Sequence, residues 1–129
     1  MILLDTHVLV WMVADSKRLS RAALVEIRAA QRDGGIAISS ISLWELASLV
    51  ARGRIKAYGT VETSVRLLTE GIVVKPITPD IAALAAHFPD DYPGDPADRL
   101  IGATARAEGM RLVTHDASIR KSSLIRTIW

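Results

Sequence analysis

Residues 1–11 read MILLDTHVLVW: four apolar residues, then Asp5, Thr6 and His7, then a second apolar run that ends at Trp11. The opening block is short and unbroken, the pattern of a strand buried on both faces of a parallel sheet. An acid stands where that strand stops. Open parallel sheets bind ligands at the carboxyl ends of their strands. Asp5 is therefore a candidate functional residue, and the fold depends on whether other strands end in the same way.

Outward from this stretch the period of the apolar residues alternates. Residues 19–32, LSRAALVEIRAAQR, place Leu19, Ala23, Leu24, Ile27 and Ala30 on one helical stripe, with Ser20 as its cap and Gly34 and Gly35 as its stop. GIAISS reads as a second strand, and SLWELASLVA, residues 42–51, as a helix ended by Gly53. A further helix covers Thr60 to Glu70, and IVVKPI is a third strand. TPDIAALAAHF opens with a Thr cap and a Pro suited to the first helical position. PDDYPGDP has the composition of an exposed loop. PADRLIGATARAEG restores the helix, RLVTHD is a fourth strand, and LIRTIW offers a last edge strand. Strands alternating with helices imply right-handed crossovers and a mostly parallel sheet covered on both faces.

Composition narrows the class. The 129 residues suit one compact domain over residues 1–129, burying roughly two thirds of its unfolded surface. Sixteen Lys and Arg against fourteen Asp and Glu leave a net charge of +2, a weak pull toward polyanions and not a basic tail. With no cysteine, disulfides and thiolate metal sites are excluded, which suits a reducing compartment. Mean hydropathy is positive at +0.25, but no apolar stretch approaches the ~20 residues of a spanning helix. Asp5 interrupts the only N-terminal apolar run that could resemble a signal peptide. The expectation is a cytoplasmic protein without a membrane segment.

Four acids are placed near one rim by this reading. Asp5 follows the first strand, Glu45 lies beyond the second, Asp116 closes the fourth, and Asp98 sits in the first turn of the helix after the acidic loop. Each also has a local explanation. Glu45 stands three residues after Ser42, the spacing of a capping box. Asp95 before Pro96 is the better cap in its loop, which leaves Asp98 at the third helical position, where an acid favours the helix dipole. Asp5 and Asp116 could cap the turns that follow them. Caps, however, need no common location. Two carboxylates about 5 Å apart repel by roughly 3 kcal/mol at an effective dielectric near 20, so four together call for a cation or raised pKa values. Oxygen ligands without Cys select a hard ion, Mg²⁺ or Mn²⁺. His7, His87 and His115 are scattered and no H-E-x-x-H helix occurs, which argues against zinc. His7 and His115 each neighbour a proposed ligand and are candidates for an accessory role.

A carboxylate-held Mg²⁺ can activate water, orient a phosphodiester and neutralise developing charge, so nucleic-acid hydrolysis is the expected chemistry. Arg99 beside Asp98, Lys17 and Arg18, and Arg52, Arg54 and Lys56 are the cations placed to hold phosphates. Aromatic residues make up only 5% of the chain, so no aromatic-rich RNA-binding motif is present.

LLDTHVLVW, ISSISLWELA, DPADRLIGATARAEG and RLVTHD, in this order and spacing, resemble a PIN-domain ribonuclease of the VapC type, the toxins of toxin and antitoxin pairs. The resemblance spans essentially the whole chain. It implies a three-layer α/β/α sandwich, Mg²⁺-dependent endonucleolytic cleavage of RNA, homodimers, and neutralisation by an antitoxin. By this similarity Asp5, Glu45, Asp98 and Asp116 take the acidic, metal-binding positions. Thr114 helps orient the last acid, and Thr6 supports the first. Relatives often carry Asn where His7 stands and a bulky aromatic where Ala97 stands, departures that remove no acid.

Two other readings compete. A phospho-acceptor receiver-like signalling domain shares this length and pattern, but it needs an adjacent acidic pair after the first strand and a Lys-Pro pair near the end of the chain; here Asp5 is single and Lys75 is central. A catalytically silent PIN-like binding module would not need the intact acid set. Half of the chain is hydrophobic, more than a chain of this size readily hides, so an exposed apolar patch and a partner are expected. Trp11 and Trp44, on helices leaving the rim, are candidate anchors for an antitoxin whose Arg or Lys would enter the acidic pocket in place of Mg²⁺.

Overall fold

A computed structural model describes residues 1–129 throughout. Its strands are β1 (Ile2–Leu4), β2 (Ile36–Ser39), β3 (Val73–Lys75), β4 (Leu112–Val113) and β5 (Thr127–Ile128). Its helices are α1 (Thr6–Ala14), α2 (Arg21–Arg32), α3 (Ser40–Ala51), α4 (Val61–Leu68), α5 (Pro79–Ala86), α6 (Pro96–Glu108) and α7 (Ala117–Arg120). The strand order is β3-β2-β1-β4-β5 and every pairing is parallel. From β1 the chain winds first toward β2 and β3, then returns to the other side for β4 and β5. The reversal falls between β1 and β4, and a crevice opens at the carboxyl ends of strands at such a point.

The two-residue period of the strands divides the core. Ile2, Leu4, Ile36, Ile38 and Val113 turn to one face, where they pack with Val8 and Leu9 of α1, Ala23 and Ile27 of α2, and Leu46 of α3. Leu3, Ala37 and Leu112 turn to the other, against Ile81 of α5, Ile101 of α6 and Ile119 of α7. Both faces of the central strands are therefore covered, as the unbroken apolar run Ile2–Leu4 requires. Each fully buried leucine of β1 contributes roughly 1.5–3 kcal/mol relative to exposure, enough to hold a strand of only three residues in register. No helix is long and apolar enough to cross a membrane.

Helix starts follow local chemistry. Ser20 accepts from the Ala23 N–H, Thr60 from Thr63, Thr78 from Ile81 and Asp95 from Asp98, each such cap contributing about 1 kcal/mol. Gly109 ends α6 at φ 65°, a left-handed position that side chains other than Gly and Asn adopt at a cost. Helix α3 departs from expectation. It begins at Ser40, because β2 runs into it without a loop and Ser39 serves as both last strand residue and cap, accepting from the Ile41 N–H. Ser42 thus lies inside the helix, and Glu45 is not half of a capping box. The single turn of α7 and a 3₁₀ turn at Ser16–Arg18 are too short to leave a periodic pattern in the sequence.

Candidate active site

Asp5 ends β1 and caps α1. It is 4% exposed, and a buried carboxylate of this kind survives only where donors hold it. The Thr6 N–H donates to its Oδ1 at 2.8 Å and the Thr114 hydroxyl to its Oδ2 at 2.8 Å. Thr114 is fully buried after β4, and its oxygen also accepts the Asp116 N–H at 3.1 Å. One hydroxyl therefore ties the end of β1 to the end of β4 across the crevice.

Thr6 performs the equivalent task toward α3. Its hydroxyl donates to Glu45 Oε1 at 2.5 Å and lies 2.8 Å from the Ser42 hydroxyl. Thr6 has one hydroxyl proton and gives it to Glu45, so Ser42 is the donor in the second bond. Burial raises the pKa of Glu45; the Thr6 bond opposes this, and the charges of Asp5 and Asp95 add to it.

Asp98 occupies the first turn of α6, with its N–H taken by the capping Asp95 at 3.1 Å. Burial pushes its carboxyl up to about 7, helped by the charges of Asp5, Asp95, Asp116 and Glu45. Beneath it the buried Tyr92 donates its hydroxyl to the Asp98 carbonyl at 3.2 Å, and burial raises the phenol well above its ordinary range. Asp116 plays a different local part. Its Oδ1 accepts the N–H groups of Ser118 and Ile119 and so caps α7, while its charge still acts on Asp98 and His7.

Asp5, Glu45 and Asp98 line one open cleft of about 300 Å³ together with Thr6, Trp44, Arg52 and Arg54. Asp116 stands beside this cleft and does not line it. No Lys or Arg forms an ion pair with any of the four acids; the lysine and arginine pairs of the chain are Arg66–Glu62, Lys75–Glu108 and Arg111–Glu26. The nearest cationic candidate is His7, whose Nδ1 lies 3.6 Å from Asp5 Oδ2. Its Nε2 accepts the His115 N–H at 3.1 Å, so a neutral ring carries its proton on Nδ1, facing Asp5. Burial lowers the pKa of His7 despite the Asp5 and Asp116 charges, which keeps the ring neutral near pH 7.

Hard oxygen donors with excess negative charge fit a divalent cation. No three Asp, Glu or His side chains are drawn together tightly enough to ligate one ion directly. Mg²⁺ does not need such a cage, since it keeps several waters and takes one or two carboxylates. Asp5, Glu45 and Asp98, which line one cleft, supply carboxylates of that kind.

The expected phosphate-holding cations separate in space. Arg52 and Arg54 reach the cleft. Arg99 does not serve it. Its guanidinium donates to the carbonyls of Ala85, Phe88, Pro89 and Tyr92, which the irregular loop after α5 turns toward α6. Arg99 therefore positions the loop that presents Asp95 and Asp98. Arg18 lies 4.3 Å over the Trp11 ring and Lys56 5.2 Å from that of Tyr58. Trp44 is 63% exposed at the cleft, and Trp11 is half-buried against the core. Sequence reasoning missed the part played by Ser42, read only as a helix cap, and the approach of Trp129 to the rim. The latter was signalled only by an aromatic following a strand that pairs with β4.

The family model described as PIN domain matches residues 2–123. Ribonuclease VapC22 of Mycobacterium tuberculosis (strain ATCC 25618 / H37Rv) is 42% identical over 130 residues, covering 99% of this chain and 98% of that protein. Among solved structures, VapBC2 from Rickettsia felis bound to a promoter DNA fragment matches with a TM-score of 0.76 at 19% identity, covering 98% of this chain and 97% of that one. DNA-bound VapBC from Salmonella typhimurium matches with a TM-score of 0.71 at 19% identity, over 98% and 97% of the two chains. Both structural likenesses concern the fold.

Proposed function

This chain belongs to the PIN domain family and resembles its VapC ribonucleases over its whole length, and from that premise we propose that it is a Mg²⁺-dependent endoribonuclease, the toxin of a toxin and antitoxin pair. The observation that carries the reading is the cleft in which Asp5, Glu45 and Asp98 converge with none of them in an ion pair to an arginine or lysine. Such a site is costly for a protein to keep unless a cation and a phosphate meet there. The whole-chain relative is named a ribonuclease, which supports RNA as the substrate. A receiver-like domain would use a phospho-accepting carboxylate and gives no reason for the Glu45–Thr6–Asp5 arrangement.

Asp5 and Asp98, with Glu45 and Asp116 through water, would hold Mg²⁺, which when bound lowers the pKa of water and neutralises charge on the phosphate. The chain's own groups set the geometry. Thr114 and the Thr6 N–H fix both oxygens of Asp5, so that carboxylate cannot rotate away. Thr6 holds Glu45, whose carboxyl pKa is raised above its ordinary range by burial, the direction that favours proton exchange with water. Arg52 and Arg54, which line the same cleft, would bind flanking phosphates of the strand. Trp44, exposed at the mouth, and the apolar residues Val73 and Val74 of edge strand β3 are surface that an antitoxin or a second copy of the chain would cover. The solved neighbours are VapBC complexes, which supports an antitoxin partner.

The test is incubation of the purified protein with total RNA in Mg²⁺ or in EDTA, beside Asp5→Asn. Cleavage in Mg²⁺ alone, lost in the variant while its circular dichroism spectrum is kept, is the expected result. Equal cleavage by wild type and variant would refute the assignment.

A further inference from the structure

Beside the acid cleft lies a second grouping that its chemistry does not require. His7, Trp11, His115 and Trp129 form a continuous ring cluster. Their centroids are 4.9 Å apart for His7 and Trp11, 5.5 Å for Trp11 and His115, 5.0 Å for His115 and Trp129, and 5.8 Å for Trp11 and Trp129. The chain has only three tryptophans and three histidines; two of each meet here, drawn from α1, the loop after β4 and the residue after β5.

We propose that this cluster is a stacking platform for an unpaired nucleobase of the RNA strand whose phosphate enters the adjacent cleft, an inference that rests on the ribonuclease reading. Three observations support it. The platform adjoins the cleft through His7, which lines the cleft and lies 3.6 Å from Asp5. A base one nucleotide from a phosphate in the cleft is therefore within reach. The rings meet at interplanar angles between 56° and 86°, so no ring face is consumed by parallel stacking on another. Third, Arg18 sits 4.3 Å over Trp11 and has no carboxylate partner, bringing a free positive charge to the patch where a strand would pass. Packing alone accounts for Trp11 and Trp129, which rest against the core. It does not account for His115, which is exposed and meets the core only through the two tryptophan rings.

Aromatic platforms of this kind read bases by their faces and tolerate any sequence; removing one ring weakens binding roughly 5- to 100-fold. Arg52 and Arg54, which line the cleft and take no part in the ring cluster, would hold backbone.

The experiment compares two probes on the full chain by fluorescence anisotropy in EDTA. One is a fluorescein-labelled single-stranded RNA of mixed sequence, the other an abasic strand of equal length. Phosphate contacts are common to both, so the ratio of affinities measures base contacts alone. Wild type is expected to prefer the intact strand by roughly 5- to 100-fold. His115→Ala should lose most of that preference without change in melting temperature, and Trp129→Ala likewise where it folds, while His115→Phe should retain it. No preference in wild type, or wild-type preference in His115→Ala, would overturn the proposal, as would a preference lost only in Trp44→Ala. Should Mg²⁺ fail to produce RNA cleavage while the base preference persists, the nuclease reading fails and the platform stands.

Discussion

Asp98→Asn should stabilise the metal-free protein while destroying its activity, and the stabilisation should depend on pH with a definite sign. The carboxyl is pushed from 3.8 to about 7 by burial and by Asp5, Asp95, Asp116 and Glu45. Above its unfolded pKa the denatured chain ionises Asp98 freely and the folded chain resists. The stability contributed by the neutral carboxyl is thus fully present below pH ~4, is lost as pH rises toward 7, and is gone above that. At about 1.36 kcal/mol per pH unit the full interval corresponds to roughly 4 kcal/mol. Asp98 is only partly buried and faces an open cleft, so solvent screening reduces the effect to about 1–2 kcal/mol. An uncharged residue in the first turn also forfeits about 0.5 kcal/mol of helix-dipole interaction. The hydrogen bonds at Asp98 use its backbone N–H and carbonyl, and Asn keeps both. The net gain is therefore about 1 kcal/mol at pH 8, a rise in Tm of roughly 3–5 °C. Thermal melts of wild type and variant in EDTA, at pH 4 and pH 8, measure it. The two proteins should melt together at pH 4 and separate at pH 8, and saturating Mg²⁺ should reverse their order, because binding stabilises only the protein that retains the ligand. A variant that melts lower than wild type at pH 8, or by the same margin at both pH values, would refute the reasoning and make Asp98 a structural acid.

Thr114→Val keeps shape but leaves the Asp116 N–H unsatisfied and frees Asp5 Oδ2; a loss of about 1–3 kcal/mol in urea unfolding is expected, together with at least tenfold lower cleavage. Glu45→Gln preserves an acceptor for the Thr6 hydroxyl, so its Tm should stay within about 2 °C of wild type while cleavage falls at least tenfold; unchanged cleavage would restrict Glu45 to a structural part. Arg99→Ala strips donors from the carbonyls of Ala85, Phe88, Pro89 and Tyr92. It should lower stability by about 2 kcal/mol and increase proteolysis of the 88–95 loop, with kcat falling more than KM rises, the opposite of a phosphate-binding residue. Gly102→Ala would press a methyl against the Tyr92 hydroxyl and to 2.7 Å from Ile125 Cδ1; a cost of about 1–3 kcal/mol in urea unfolding follows from overpacking.

Most of the fold is legible in the sequence because period and punctuation agree. Ser20, Thr60, Thr78 and Asp95 each stand before an apolar stripe of helical spacing, and each caps the helix that follows. The start of α3 was ambiguous for a physical reason. Ser39, Ser40 and Ser42 are all competent caps, and only the register of β2 against β1 and β3 decides that the strand ends at Ser39. The 3₁₀ turn and α7 are shorter than the window over which periodicity can be read.

The site was legible in its acids and much less so in what holds them. Asp5, Glu45, Asp98 and Asp116 could be placed because each follows a strand or opens a helix, positions that a linear pattern reveals. Arg99 was misplaced because adjacency in sequence is not adjacency of the charged group: its long stem carries the guanidinium away from Asp98 to loop carbonyls.

The same distinction explains why this rim can gather charges that repel one another. In a parallel sheet the carboxyl ends of all strands lie on one side, so residues from α1, α3, α6 and the loop after β4 are brought there by the topology. Repulsion among the acids is resisted by local bonds made before they meet: Asp5 by its own helix start, Asp98 by the cap of α6, Asp116 by the first turn of α7. Two hydroxyls, Thr6 and Thr114, reach acids of other elements, and both are buried. A buried hydroxyl is an inexpensive bridge between acids, since it donates to one carboxylate and still accepts from elsewhere, as Thr114 does from the Asp116 N–H and Thr6 from Ser42. A lysine in either place would neutralise the cleft. Two threonines instead fix the carboxylates and leave their charge available to a cation, which is what the proposed metal-dependent site would demand.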